Sequence, residues 1–166
     1  SFSLLSYLGY NTLSQLEYLQ NKELQKLSLL TNISNDLAQH HVRIYEHLRS
    51  AEEVIDEGDF YDRGKPLLLK IHSFEERIHA YLNDHSMDAE IGHPLKILLE
   101  KLIKYRNNTT NAILMATVDL KQAQELLRDS TLFYIELNNQ FLGINQLIQD
   151  RLRHESVLNH STTKIQ

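Results

Sequence analysis

Residues that break helices are rare in this chain, and this scarcity limits the possible folds more than any other feature. The 166 residues include only 5 Gly and 2 Pro. The breaks cluster in residues 56–66 and 83–94, and a weaker break lies at residues 115–120. A chain with so few turn formers is expected to form few and long elements. No alternation typical of a strand appears between the breaks.

Between these breaks, apolar side chains recur every three or four residues, which is the spacing of a helix packed in a bundle or a coiled coil. Pro66 and Pro94 suit first helical positions, because the N–H group that proline lacks has no intrahelical partner there. The pattern predicts four helices, at about residues 5–55, 66–83, 94–115 and 119–160.

Each predicted helix presents one stripe of mostly apolar residues to the core. The stripe of the first helix is Leu13, Leu16, Gln20, Leu24, Leu27, Leu30, Ser34, Leu37, His41, Ile44, Leu48, Ala51 and Ile55. The stripe of the second helix is Leu67, Ile71, Phe74, Ile78 and Leu82. The stripe of the third is Leu95, Leu98, Leu102, Tyr105, Thr109 and Ile113. The stripe of the fourth is Leu120, Ala123, Leu127, Ser130, Tyr134, Leu137, Phe141, Ile144, Ile148 and Leu152.

Helix length and connection length together predict the architecture. At about 1.5 Å per residue, the first and fourth helices measure roughly 75 and 60 Å, and the second and third roughly 27 and 33 Å. Short connections make neighbouring helices antiparallel. We therefore predict an all-α chain with one domain over residues 1–166. Its fold is an antiparallel up-down four-helix bundle with two long helices (1 and 4) and two short helices (2 and 3).

The long helices are expected to extend beyond the short ones as a two-helix stalk, whose apolar stripes need a further partner. A second copy of the chain provides one, because two stalks side by side make four helices. We therefore predict a parallel homodimer through helices 1 and 4, with both termini at the foot of the stalk. The apolar opening SFSLLSYLGY at that end favours a domain that is anchored in a membrane through flanking segments.

Composition and motifs exclude several classes of function. The net charge of −5 argues against a nucleic-acid partner, since phosphates require a basic patch. The chain has no cysteine, which excludes disulfides and thiolate metal sites. It contains no Ser-His-Asp order, glycine-rich phosphate loop or nucleophile elbow. We therefore predict a protein that is not an enzyme, with no catalytic residue and no cofactor.

Two stretches carry a resemblance to a known family. LAQHHVRIYEHL in helix 1 and TVDLKQAQELL at the start of helix 4 resemble the four-helix-bundle extracytoplasmic sensor domain of bacterial methyl-accepting chemotaxis receptors and related transducers. The long-short-short-long helix pattern extends this resemblance over the whole chain. The resemblance implies a periplasmic domain of an inner-membrane receptor, with a chemotaxis output module in the cytoplasm. A histidine kinase and a cyclic-dinucleotide enzyme are the alternative outputs.

The resemblance also implies a ligand site. Family members that bind amino acids use arginines on helix 1 and polar groups near the start of helix 4, and Arg43 looks like one such arginine. His40, Arg43 and His47 are spaced to share one helix face, and Lys121 and Gln122 are expected to converge on it. Arginine grips carboxylates through two bonds. The pattern of these five residues therefore predicts a binding site for a small molecule such as a carboxylate. The alternative is a solvated helix face.

His41 differs from these histidines because it lies within the core stripe of helix 1. A polar residue in such a position can set the register of packed helices. We therefore predict that His41 is buried and hydrogen-bonded to a neighbouring side chain.

Two Glu-x-x-His strings, Glu76–His79 and Glu90–His93, have the spacing that di-iron bundles use. The second string contains Gly92 and precedes Pro94, and helices 1 and 4 offer no inward glutamate at a matching level. We therefore predict no metal site. A di-metal helical bundle is the alternative of another functional class, and a structural coiled coil without a ligand is a third.

Overall fold

The computed structural model describes residues 2–53, 56–84 and 89–163 of the chain. It contains the helices α1 (Phe2–Arg49), α2 (Glu57–Leu82), α3 (Ala89–Met115) and α4 (Leu120–Thr163). A short 3₁₀ helix, Ser50–Glu53, follows α1. No strand occurs in these ranges. The predicted all-α class, with four helices that pack against one another, is confirmed.

Helix α2 begins at Glu57 rather than near Pro66, and a side-chain cap explains the earlier start. The carboxylate of Asp56 accepts hydrogen bonds from the backbone N–H groups of Gly58 at 2.8 Å and Asp59 at 3.2 Å. These bonds satisfy donors that the first turn of a helix otherwise leaves unpaired. Pro66 therefore lies inside the helix, where it removes one intrahelical hydrogen bond.

Helix α3 likewise begins at Ala89, and Pro94 lies inside it rather than at its first position. Helix α1 ends at Arg49 rather than near Ile55, and Ile55 lies outside the described residues. The chain divides by its contacts into two units. The prediction of a single domain over residues 1–166 stays a prediction.

The four-helix unit runs from Ile33 to Ile144. Every predicted core position of α3 is buried, and α4 buries most of its predicted positions. The buried side chains of α4 in this unit are Ala123, Leu127, Ser130, Leu137, Phe141 and Ile144. The 3.6-residue period therefore identified the inward faces of both helices.

The two-helix unit holds the chain up to Asn32 and from Asn145 onward. Its buried side chains include Glu23 and Lys26, which form an ion pair at 2.9 Å. Leu13 and Leu24, which were predicted to lie in the core, are 59% and 51% exposed. Two helices alone enclose only a narrow seam, so the apolar positions beside that seam remain exposed. This exposure is what was expected of the apolar stripe of a two-helix stalk without a further partner.

Many large apolar side chains of the two-helix unit are exposed. Its exposed large apolar side chains include Leu4, Leu5, Tyr7, Leu8, Tyr10, Leu13, Tyr18, Leu19 and Leu24 on α1, with Val157 and Leu158 on α4. Exposed apolar patches of this kind mark surfaces that contact another protein or a membrane.

Candidate functional site

His40 is a residue of α1 whose side chain packs against α2, and it is only 4% exposed. Its Nε2 atom is 2.6 Å from the carbonyl oxygen of Leu67, and its ring meets Phe74 edge-on at 6.2 Å between centroids. A carbonyl only accepts hydrogen bonds, so Nε2 is the donor and carries the proton. Burial lowers the pKa of His40 below its ordinary value, and the nearby cations Arg43 and Lys70 lower it further.

His47 also packs against α2. Its ring stacks on Phe60 with centroids 4.2 Å apart, and its buried Nε2 atom has no hydrogen-bond partner in the described part of the chain. Burial, above all, and the charge of Arg63 lower the pKa of His47. A Cβ atom at Gly64 would lie only 2.9 Å from His47 Nε2. Glycine therefore allows the close approach of α2 to this histidine.

Arg43 is exposed and has no ion-pair partner among the described residues. With Asp36, Gln39, His40 and Lys70 it lines a small cavity of about 210 Å³, which we call the α1–α2 depression. The structure therefore brings two of the predicted site residues, His40 and Arg43, together. Gln39 and Lys70 join them. Lys70 could not be predicted from a sequence pattern, because the face of α2 that meets Arg43 depends on tertiary packing.

Lys121 and Gln122 lie at the exposed start of α4. The backbone N–H of Gln122 donates to the carboxylate of Asp119 at 3.0 Å, which caps the helix. Neither residue lines the α1–α2 depression, and His47 does not line it either. The five residues that were predicted to form one site are therefore not gathered in either cavity described here.

A larger cavity of about 730 Å³ lies between the end of α1 and the start of α4, and we call it the α1–α4 groove. It is lined by Tyr45, Glu46, Leu48, Arg49, Ser50, Glu52, Glu53, Leu120, Ala123, Gln124 and Leu127. Three of these side chains are acidic and one is basic. Sequence reasoning missed this groove, although the acidic run from Glu52 was a visible signal.

His41 organises a polar network inside the four-helix unit. Its Nδ1 atom lies 2.8 Å from the hydroxyl of Tyr105, and its ring stacks on Tyr134 at 4.5 Å. The hydroxyl of Thr131 donates to the carbonyl of Leu127, so it can accept from His41 Nε2 at 3.4 Å. Tyr105 then donates to Nδ1. The prediction of a buried, hydrogen-bonded His41 is confirmed.

The same network continues between α3 and α4. The side-chain amide of Asn108 donates to the hydroxyl of Ser130 at 2.9 Å and to the carbonyl of Leu126 at 2.6 Å. Thr109 donates to Ser130 at 3.3 Å. Burial raises the pKa of Tyr105 well above its ordinary value, so this hydroxyl remains protonated. The buried polar groups thus satisfy one another, as a specific helix register requires.

The two members of the first Glu-x-x-His string contact different side chains. Glu76 contacts His72 at 3.6 Å, and His79 contacts Asn83 at 3.0 Å. Within the described ranges, no group of three or more histidine, aspartate or glutamate side chains is close enough to hold a metal ion. No helix in those ranges is sufficiently long and apolar to cross a membrane.

Comparison with known proteins does not place the chain in a family. No protein-family model matches it, and no curated protein sequence is significantly similar to it. The function must therefore be argued from the helices and their surfaces.

Proposed function

We propose that this chain is the periplasmic signal-input domain of a bacterial inner-membrane receptor, foremost a chemoreceptor. A sensor for a histidine kinase or a cyclic-dinucleotide enzyme is the alternative. The proposed fold is an antiparallel up-down bundle in which α1 and α4 are the long helices and α2 and α3 the short ones. The domain binds a small molecule, performs no catalysis and is anchored through flanking segments.

The observation that carries the proposal is the continuity of α1 and α4. Helix α1 contains both Asn32 and Ile33, and α4 contains both Ile144 and Asn145. These pairs are the boundaries between the two-helix unit and the four-helix unit. A continuous helix passes a small translation or rotation along its length, which is a common form of signalling movement. Each unit is therefore joined to the other by two uninterrupted helices.

The exposed apolar side chains of the two-helix unit support a homodimer through α1 and α4. Leu13, Leu19 and Leu24 are 59%, 48% and 51% exposed, and large apolar side chains exposed in such numbers mark surfaces that contact another protein or a membrane. A second copy, with the same exposed apolar side chains, is the partner we propose.

The α1–α4 groove supports a ligand site in the four-helix unit. Its volume of about 730 Å³ lies within the range of roughly 300–1,000 Å³ that small-molecule sites occupy. Both helices that line it continue into the proposed dimer interface. A ligand that binds one arrangement of α1 and α4 better than another would shift the balance between them. None of the residues in the predicted set lines this groove, so that set stays a separate prediction for ligand contacts: Arg43, His40, His47, Lys121 and Gln122.

A receptor chimera tests the function. Residues 1–166 are placed between the two membrane spans of a chemoreceptor, and the cytoplasmic output is measured against a panel of small carboxylates, amines and sugars. At least one compound should change the output and also raise the melting temperature of the isolated chain, because a ligand stabilises the state that it binds. A panel that changes neither quantity would count against a sensor.

Cysteine cross-linking tests the dimer separately. The natural chain has no cysteine, so a single introduced thiol reports only its own neighbourhood. Leu24→Cys, at an exposed apolar position of the two-helix unit, should form disulfide-linked dimers in the membrane-anchored chimera. Lys96→Cys is the matched control, because Lys96 is an exposed residue of α3 outside the proposed interface. Equal cross-linking of both variants would contradict the proposed interface.

A further inference from the structure

Two unpaired cations converge on the α1–α2 depression from different helices. Arg43 lines it from α1 and Lys70 lines it from α2. The ammonium group of Lys70 lies 5.3 Å from the centre of the Phe74 ring, and no carboxylate in the described part of the chain pairs with either cation. The charges of Arg43 and Lys70 both lower the pKa of His40, so both cations lie close to its ring. Their mutual repulsion would be relieved by a bound anion.

The remaining groups around the depression fit the same ligand. Gln39 offers a side-chain amide, and His40 lines the cavity with its position fixed by the bond to Leu67. Asp36 is the one acidic group that lines the cavity. Its carboxylate is 3.9 Å from the guanidinium of Arg77, which offsets its charge. The depression therefore keeps a positive balance.

We propose that the α1–α2 depression binds a small anion with two charges, such as phosphate or a short dicarboxylate, between Arg43 and Lys70. The cavity of about 210 Å³ is smaller than the roughly 300 Å³ at which sites for drug-sized ligands begin, so the anion has only a few heavy atoms. The planar fork of Arg43 suits two oxygens of a phosphate or carboxylate, and Lys70 adds a point charge. This site does not depend on the proposed receptor function.

Anion binding should be linked to the protonation of His40. The neutral ring carries its proton on Nε2, toward Leu67, so a second proton must enter at Nδ1. A bound anion offsets the charges of Arg43 and Lys70, which now oppose that proton, and therefore raises the pKa of His40. By reciprocity, protonation of His40 strengthens anion binding. His41 is a further titratable neighbour, because the charges of His40 and His41 oppose each other. Phe74 and Leu67, which contact the ring, are uncharged.

Nuclear magnetic resonance of the 166-residue chain tests the proposal. Inorganic phosphate and malonate are titrated in separate arms at constant ionic strength, and the ring signals of His40, assigned with a His40→Gln variant, are followed. At least one arm should give a saturable shift in the millimolar range and raise the titration midpoint of His40. The arms distinguish a phosphate ligand from a carboxylate ligand. The absence of a saturable shift in both arms overturns the proposal.

Matched variants locate the anion. Arg43→Gln and Lys70→Gln should each weaken binding by about tenfold or more, because each removes a charged hydrogen-bonding partner. Both residues are exposed, so both variants are expected to fold, which circular dichroism checks. Arg128→Gln and Lys96→Gln, at exposed positions of α4 and α3, should bind as the wild type does. Wild-type affinity in either Arg43→Gln or Lys70→Gln overturns the proposal.

Discussion

Replacing Gly64 with alanine should destabilise the protein, although alanine is the better helix former. Gly64 is buried inside α2. A Cβ atom there would lie 2.9 Å from His47 Nε2 and 3.0 Å from Ile113 Cγ2. His47 has little freedom to move away, because its ring is stacked on Phe60 at 4.2 Å. The new methyl group would therefore press on two side chains from two other helices.

The expected magnitude follows from two opposing terms. Alanine in place of glycine inside a helix stabilises by about 1 kcal/mol, and an extra carbon in a packed core costs about 1–3 kcal/mol. Gly64→Ala should therefore lower the free energy of unfolding by up to about 2 kcal/mol. Gly143→Ala supplies the control, since no atom lies within 4 Å of its added Cβ. That variant should be stabilised by nearly the full 1 kcal/mol or so.

Urea unfolding followed by circular dichroism measures both variants under identical conditions. The stability difference between Gly143→Ala and Gly64→Ala isolates the steric cost, because the helix-propensity gain is common to both. In a His47→Ala background, Gly64→Ala should lose the part of its cost that comes from His47, while the contact with Ile113 Cγ2 remains; a double-mutant cycle quantifies the difference. If Gly64→Ala is as stable as Gly143→Ala, the close packing of His47 against α2 is refuted.

Three further predictions concern protons, the polar core and a helix cap. Burial lowers the pKa of three histidines, namely His40, His41 and His47, so the unfolded chain binds more protons near pH 6.5. The contribution of these histidines to stability should be fully present above that pH and should be lost as the pH falls below it. Urea unfolding midpoints measured across this pH range would show the loss, and midpoints that do not change with pH would contradict the burial of the three rings. Tyr105→Phe should lower the free energy of unfolding by about 1–3 kcal/mol in the same assay, because His41 Nδ1 loses its donor. An unchanged urea midpoint would show that this hydrogen bond does not stabilise the fold. Asp56→Ala should cost about 1 kcal/mol through the loss of the α2 cap, and should increase hydrogen exchange at Gly58; unchanged exchange there would argue for another start of α2.

The helical class and the inward faces of α3 and α4 were predictable from the sequence. A buried helix face must present an apolar or satisfied polar side chain at every third or fourth residue, so the requirement is visible in the local pattern. Thr109 and Ser130 were placed in the core for this reason, and both are fully buried. His41 was placed there by the same spacing, although its bond to Tyr105 joins residues far apart in the chain.

Helix starts were less predictable, because two local signals compete. Pro66 and Pro94 are good first residues, but an internal proline costs a helix only one hydrogen bond and some distortion. The cap at Asp56 and the burial of Phe60 and Gly64 extend α2 toward the N-terminus. The balance between a cap, a proline and burial depends on the helix against which the extra turns pack.

The candidate sites depended most on tertiary structure. The spacing of His40, Arg43 and His47 correctly placed them on one side of α1, but it did not identify the neighbour on that side. His40 and His47 contact α2, whereas the residues of α1 that line the groove with α4 begin at Tyr45. Side chains at adjacent positions on a helix point about 100° apart. Arg43 and Tyr45 are two positions apart, so they face different neighbouring helices.

The sequence by itself therefore determined that this protein forms four helices and which faces of most helices are buried, because both follow from contacts within a few turns. Only the tertiary structure decided which helix each face meets. That pairing placed Lys70 beside Arg43, and Gly64 against His47. Such neighbours lie on different helices or depend on how closely two helices approach, and no local period encodes that geometry.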